Sequence, residues 1–252
     1  MLIKANVIAV SVGVLLIGCG MDQDENQEII DNLVEAGFPA DDITVVDGLV
    51  YVGNDAEVSL EASREMLEPA GSTEEQYRTT NLVGSNIGTI CIDPSSGFTG
   101  DFSTALDLAI ENYNQLGLSY TLVRDGSGCD ATIRGTIKRR LVGGSAGFPK
   151  GGKPYGRINI GGGLEPFGVD VIEHVITHEI GHTVGLRHSD FFDRSISCGS
   201  GGNEGDAGIG AIHIPGTPTG ATEGGSVMNS CFRDSENGEW TSSDRTALTT
   251  LY

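Results

Sequence analysis

His178-Glu179-Ile180-Gly181-His182-Thr183-Val184-Gly185-Leu186-Arg187-His188 decides how the rest of this chain is read. On a helix, at about 100° per residue, positions four apart share a face one turn from each other, so His178 and His182 can aim two imidazoles at one ion. Glu179 projects beside that pair, where a carboxylate can act on a water next to a metal without binding the metal itself. A straight helix cannot supply a third ligand at the right angle. Gly185 tolerates a positive φ, so the helix can end there and the chain can turn back to bring His188 to the same point. Three protein ligands leave a fourth position for water, the arrangement of a catalytic and not of a closed structural Zn²⁺. Three of the five histidines fall in register within these eleven residues, which solvation of a helix face does not require. His174, one turn earlier, reads as a buried, hydrogen-bonded histidine; His213, in a Gly/Pro-rich loop, is uninformative.

The string HExxHxxGxxH, with Ser226-Val227-Met228-Asn229-Ser230 downstream, resembles the metzincin signature, in which a Met-turn runs beneath the zinc. Within that clan HEIGHTVGLRHSD, residues 178–190, resembles the bacterial dual-action HEIGH metallopeptidases. The resemblance implies an α+β, zincin-like domain. Its parts are a twisted mixed sheet, two long helices, an active-site cleft, and a smaller irregular C-terminal subdomain holding the Met-turn and a terminal helix. It also implies a zinc endopeptidase: Zn²⁺ on His178, His182 and His188, Glu179 as general base, and Met228 as a soft filling contact under the metal. Ser230 stands where astacins and serralysins carry a tyrosine that can reach the metal, so no tyrosine role carries over. In metzincins an edge strand above the cleft pairs with the extended substrate, and Arg157–Ile160 is the positional candidate.

The N-terminus reads differently. Lys4 and the apolar run Val7 to Ile17 form a secretory signal, too short to span a bilayer, over residues 1–18. Leu16-Ile17-Gly18-Cys19 resembles a lipobox, which implies lipidation of Cys19 and membrane attachment through the lipid. Residues 20 to 75 hold 16 Asp/Glu against one basic residue, Arg64, whereas residues 76 to 252 hold 19 against 13, so the acidic block 19–75 reads as a separate unit. Helices are expected at 27–36 and 59–67, with a β segment at 43–52 interrupted at Asp47-Gly48. That is too little apolar material for an independent core. The block fits a pro-segment leaning on the domain that follows, with a solvated acidic spacer as the other reading. Some metzincins are silenced by a pro-segment aspartate on the zinc, and Tyr51-Val52-Gly53-Asn54-Asp55 resembles their aromatic-x-Gly-Asp string, which makes Asp55 a zinc-blocking candidate. Asn54 is inserted in that string, and processing would fall between 68 and 80.

From Gln76 the composition is that of one globular domain of 177 residues. A strand at 87–92 leads to a helix at 102–116, closed by Gly117, with Phe102, Leu106, Ala109, Tyr113 and Leu116 on one face. Strands follow at 119–124 and 131–137, then 143–168, where 10 of 26 residues are glycine. The metal-binding helix is expected to begin at Asp170 as N-cap with Glu173 closing a capping box. Its apolar residues on most sides mark it as buried. A terminal helix starts at Thr241, capped by Thr241-x-x-Asp244.

Cys91, Cys129, Cys198 and Cys231 suggest two disulfides in an exported chain. Of three connectivities, Cys91–Cys129 and Cys198–Cys231 are favoured because each closes a loop within one subdomain. Asp125, Asp130 and Asp206 lack the rhythm of a calcium loop. A net charge of −20 argues against nucleic-acid binding. The expected partners are a peptide or protein substrate and a membrane through the N-terminal lipid, the chain itself being a monomer. The alternative is a non-catalytic envelope lipoprotein with a structural zinc; Glu179 argues against it, because a structural site has no use for a base beside an open position.

Overall fold

The computed structural model describes residues 21–67, 76–205, 211–218 and 220–252. The expected signal and Cys19 lie outside the described residues, as do Asp206 and positions 68–75 of the expected processing region. The N-terminal elements are α1 (Met21–Glu35), β1 (Thr44–Val46), β2 (Leu49–Val52), β3 (Ala56–Val58) and α2 (Leu60–Glu65). Then come β4 (Tyr77–Arg78), β5 (Thr89–Pro94), α3 (Asp101–Asn114), β6 (Thr121–Arg124), β7 (Ala131–Lys138), β8 (Gly144–Gly147) and β9 (Arg157–Gly161). A 3-10 turn (Gly162–Phe167) leads into α4 (Val169–Thr183), followed by α5 (Ser195–Cys198), β10 (Ile212–His213) and α6 (Ser242–Leu251).

The architecture is α+β, as expected. Among the described residues eight strands form one mixed sheet in the order β1-β2-β3-β8-β9-β7-β5-β6. Strands β9, β7, β5 and β6 run parallel, β8 is antiparallel to β9, and β3 is parallel to β8. On the inner parallel strands Ile90, Ile92, Ile133, Ile158 and Ile160 are buried at alternate positions on the face that the helices cover, while Thr132, Arg134 and Lys138 of β7 are exposed on the other. Helices α3 and α4 pack on this sheet and on each other, where the buried Tyr113 hydroxyl donates to Thr177 O at 3.0 Å. A buried side chain such as Leu106 contributes about 1.5–3 kcal/mol. Gly117, at φ 68°, ends the turn that follows α3.

Two expectations are corrected. Helix α4 starts at Val169, not at an Asp170 N-cap: Gly168, at φ 85°, turns the chain directly from the 3-10 turn into the helix, and Ile172 N–H donates to its carbonyl at 3.2 Å. Asp170 lies in the first turn, where its charge faces the helix N-terminus. Glu173 closes no capping box; its carboxylate accepts from Asn112 Nδ2 at 2.8 Å. Nor is 157–160 an edge strand. β9 lies between β7 and β8, and the strand above the cleft is the glycine-rich β8, whose outer edge carries β3.

The acidic block therefore enters the same sheet. Its apolar residues, among them Leu33, Phe38, Val50, Val52 and Met66, form a small cluster completed by Phe148 from the following domain. Both favoured disulfides are present, Cys91–Cys129 and Cys198–Cys231, with Cα separations of 5.7 and 5.2 Å. Helix α6 begins with the expected capping box. Asp244 Oδ2 accepts from Thr241 N–H at 3.0 Å and also from Val227 N–H at 3.0 Å, so the residue that caps the last helix holds the turn carrying Met228.

Candidate active site

Helix α4 carries His178, Glu179 and His182 inside the protein, where packing on all sides fixes their rotamers. Gly185 ends it at φ 108°, and a Cβ there would lie 2.6 Å from Asn81 O, so both conformation and space require glycine. The chain then reverses, with Arg187 N–H donating to Tyr77 O at 2.8 Å and Ser189 N–H to Met228 O at 2.8 Å, and His188 faces the helix. Met228 is fully buried against α4: a Cβ on Gly181 would stand 2.6 Å from its sulfur. Ser230 gives its hydroxyl to Asp190 at 2.8 Å, away from any metal role.

The three imidazoles converge through Nε2. His188 Nε2 stands 3.2 Å from His178 Nε2 and 3.2 Å from His182 Nε2. Each Nδ1 is committed elsewhere: His178 donates to Val227 O at 2.8 Å and His182 to Leu186 O at 2.8 Å, while His188 Nδ1 lies 2.6 Å from Glu204 Oε1. Carbonyl acceptors fix the tautomer, so the Nε2 atoms of His178 and His182 present lone pairs to one point. Asp55 brings a carboxylate to the same point, 3.1 Å from His188 Nε2 and 3.6 Å from both His178 and His182 Nε2, and its Oδ1 is buried without a hydrogen-bond donor. Lone pairs so close repel one another unless a cation lies among them. A tetrahedral Zn²⁺ with bonds of about 2.0–2.1 Å needs donor separations of about 3.3 Å, so the cluster fits that ion. Among the described residues this is the one group of His, Cys, Asp and Glu side chains placed to hold a metal. Asp130, one of the scattered acids, is instead taken by Gly88 and Thr89 N–H, each at 2.9 Å.

Glu179 lies beside the cluster, 1% exposed, with Oε2 lacking a hydrogen-bond partner. Gly144 of β8 presses on it, since a Cβ there would fall 2.3 Å from Glu179 Oε1. Burial, then the Asp55 charge, pushes the Glu179 carboxyl well above the usual range. Burial holds His182 down to about 3. At His188 burial acts the same way, but the Asp55 and Glu204 carboxylates outweigh it and hold the ring well above the ordinary value.

Asp55 reaches the histidines because Gly53 and Asn54 both adopt left-handed conformations, at φ 64° and 75°, and double the chain back. The inserted Asn54 is absorbed by that turn. Glu204 is the residue that the sequence did not single out. It is buried, accepts from Arg187 Nη2 at 3.1 Å and stands 3.9 Å from Arg194 Nε, which places it in an ionic cluster behind His188. Arg194 in turn donates to Asp42 Oδ1 at 3.1 Å, and Arg187 stacks on Phe38 with its Cζ 4.2 Å from the ring centroid. Nothing marks Glu204 in the sequence, one acid among glycines.

The dual-action HEIGH metallo-peptidase family matches residues 50–252, and with them the whole donor cluster, Asp55 included. The chain belongs to that family. It is a metallopeptidase, and the donor set is one for zinc. No curated relative matches. Among solved structures the chain is similar to myroilysin, at 14% identity over 69% of this chain and 95% of that one, with a TM-score of 0.44. It is also similar to high choriolytic enzyme 1, a hatching enzyme zinc-protease from Oryzias latipes (Medaka fish), at 18% identity over 68% and 93%, with a TM-score of 0.44. In this family member a cavity of about 310 Å³ opens beside the cluster, with His174, Val175, Val142 and Phe232 in its walls and Asp55 at its edge.

Proposed function

We propose that the chain is a zinc endopeptidase made as a latent, lipid-anchored precursor, with His178, His182 and His188 as metal ligands and Glu179 as general base. The observation behind the roles is the convergence of three Nε2 atoms beside the buried Glu179, whose Oε2 has no hydrogen-bond partner. Bound zinc would supply Lewis acidity to the scissile carbonyl and to the attacking water. Glu179 accepts the proton of that water and returns it to the leaving nitrogen, and the wall at Gly144 holds the carboxylate in place for both transfers. His178, His182 and His188 are kept in register by Val227 O, Leu186 O and Glu204, so the donors need not reorganise.

Latency is supported by two features of the acidic block. Asp55 stands where water must bind, and β3 lies along the outer edge of β8, with Ala146 N–H donating to Asp55 O at 3.0 Å. A peptide substrate needs both places. Domain limits of 1–18 for the signal, 19–75 for the pro-segment and 76–252 for the peptidase follow from this reading. The lipobox-like Leu16–Cys19 supports an envelope lipoprotein, and Gly20 after the cysteine supports the outer membrane, with release after processing; the chain is read as a monomer acting on peptide or protein substrates. The roles are tested by Glu179→Ala, which is expected to keep stoichiometric zinc and lose about 10²–10⁴-fold in peptide hydrolysis. Full activity in that variant would sink the mechanism, and loss of zinc would mean that the base is misassigned.

A further inference from the structure

Glu57 is the middle residue of β3, the strand that lies where a substrate would pair, and it is 8% exposed. Its carboxylate forms a short ion pair with Arg157 Nη2 of β9. The same Nη2 donates to the Tyr155 hydroxyl at 2.9 Å, and the Arg157 guanidinium sits 5.8 Å from the Tyr155 ring centroid. Gly147 of β8 is paired with Glu57 in the sheet and makes the meeting possible. A Cβ on Gly147 would lie 2.5 Å from Glu57 O and 3.0 Å from the Tyr155 ring. Arg157 thus reaches the outer edge of β8 two residues beyond Asp55, the residue at the metal cluster, and meets a carboxylate there.

We propose that Arg157 and Tyr155 form a specificity subsite that selects substrates carrying a glutamate or aspartate two or three residues from the scissile bond. This rests on the reading that the acidic block vacates the cleft. The edge of β8 offers backbone groups to any peptide, and those do not discriminate. The Arg157 fork does, because a guanidinium lined up by a neighbouring hydroxyl is left beside the peptide path when Glu57 departs. Glu57 then serves as a built-in copy of the preferred side chain. The preference runs against the field of the whole molecule: residues 76–252 are net acidic and repel an acidic peptide, so discrimination in its favour has to come from this local cation. The Arg157 side chain is 43% exposed, which limits the effect to about five- to tenfold in kcat/KM between Glu and Gln at the selected position.

The test uses the full chain carrying a recognition sequence for an unrelated site-specific protease within residues 68–75, cut after folding and then cleared of the acidic block by chromatography, because β3 and its apolar cluster would otherwise hold that block in the cleft. Peptide pairs differing only as Glu or Gln are then compared at each of the three positions on either side of the scissile bond. The cut enzyme is expected to favour Glu at one position two or three residues away, Arg157→Gln to remove the preference, and Arg157→Lys to keep part of it. Rising salt should carry the ratio toward one in the unmutated enzyme, a readout that needs no variant. Equal hydrolysis of every pair by an active cut enzyme overturns the subsite alone, as does a preference that survives Arg157→Gln. A cut enzyme that hydrolyses no peptide overturns the peptidase reading and the subsite with it.

Discussion

Replacing Glu204 by alanine tests how much the ionic cluster behind His188 contributes. The residue is 3% exposed, lies 2.6 Å from His188 Nδ1 and 3.1 Å from Arg187 Nη2, and Arg187 is itself only 2% exposed. Removing one member of a buried charge pair costs about 3–5 kcal/mol, because the remaining charge cannot return to water. That is a large part of a total stability of about 5–15 kcal/mol. At about 2–4 °C per kcal/mol for a chain of this size, the melting temperature is expected to fall by roughly 6–20 °C. His188 also loses the carboxylate that orients its ring, which should weaken zinc binding by about 10–100-fold. Glu204→Gln keeps the size and one acceptor, and its cost should be smaller, about 1–3 kcal/mol. Thermal unfolding with and without zinc gives the first quantity, and competition with a chelator gives the second. An alanine variant that unfolds within about 1 kcal/mol of wild type and holds zinc equally tightly would refute the reasoning, since a buried charge cluster cannot lose its central carboxylate without cost.

The unprocessed Asp55→Ala precursor is expected to bind a small zinc-directed hydroxamate, which needs the metal's open position and not the β8 edge that β3 covers, at least about tenfold more tightly than the wild-type precursor, because a tethered blocking carboxylate acts at high local concentration; equal binding would discard Asp55 as a switch. His174 provides a pH test. Burial holds its pKa down to about 4, against the pull of Glu236 and with His178 and Arg233 opposing its charge. Between the ordinary 6.5 and 4 the unfolded chain takes up a proton that the folded chain refuses, so stability falls as pH falls through that window and levels off below it. At about 1.4 kcal/mol per unit the loss approaches about 3 kcal/mol relative to His174→Asn, read as the difference between the two stability–pH curves, and parallel curves would refute it. Cys19→Ser should move the exported protein from the detergent phase to the aqueous phase, since a lipid is the only anchor proposed; unchanged partitioning would point to an ordinary cleaved signal.

What the sequence determined by itself is local. The spacing of His178, Glu179 and His182 is set by helical geometry, and the turn at Gly185 by the conformational freedom of glycine, so the metal cluster could be read without coordinates. The same holds for α3, whose apolar face repeats at the helical period, and for the Thr241–Asp244 cap, formed by neighbours three residues apart. Tertiary structure decided what depends on partners far along the chain. Gly144-Ser145-Ala146-Gly147 carries no strand pattern, and it becomes β8 because β9 and β3 supply its hydrogen bonds. That pairing moved the cleft strand away from Arg157–Ile160 and put Glu57 against Arg157. Glu204 owes its place to His188 and Arg187, sixteen and seventeen residues earlier, and no periodicity relates an acid in a glycine-rich loop to either. Asp55 stood between the two cases: its motif was legible, but its reach was set by two left-handed residues and by a sheet that only the folded chain assembles.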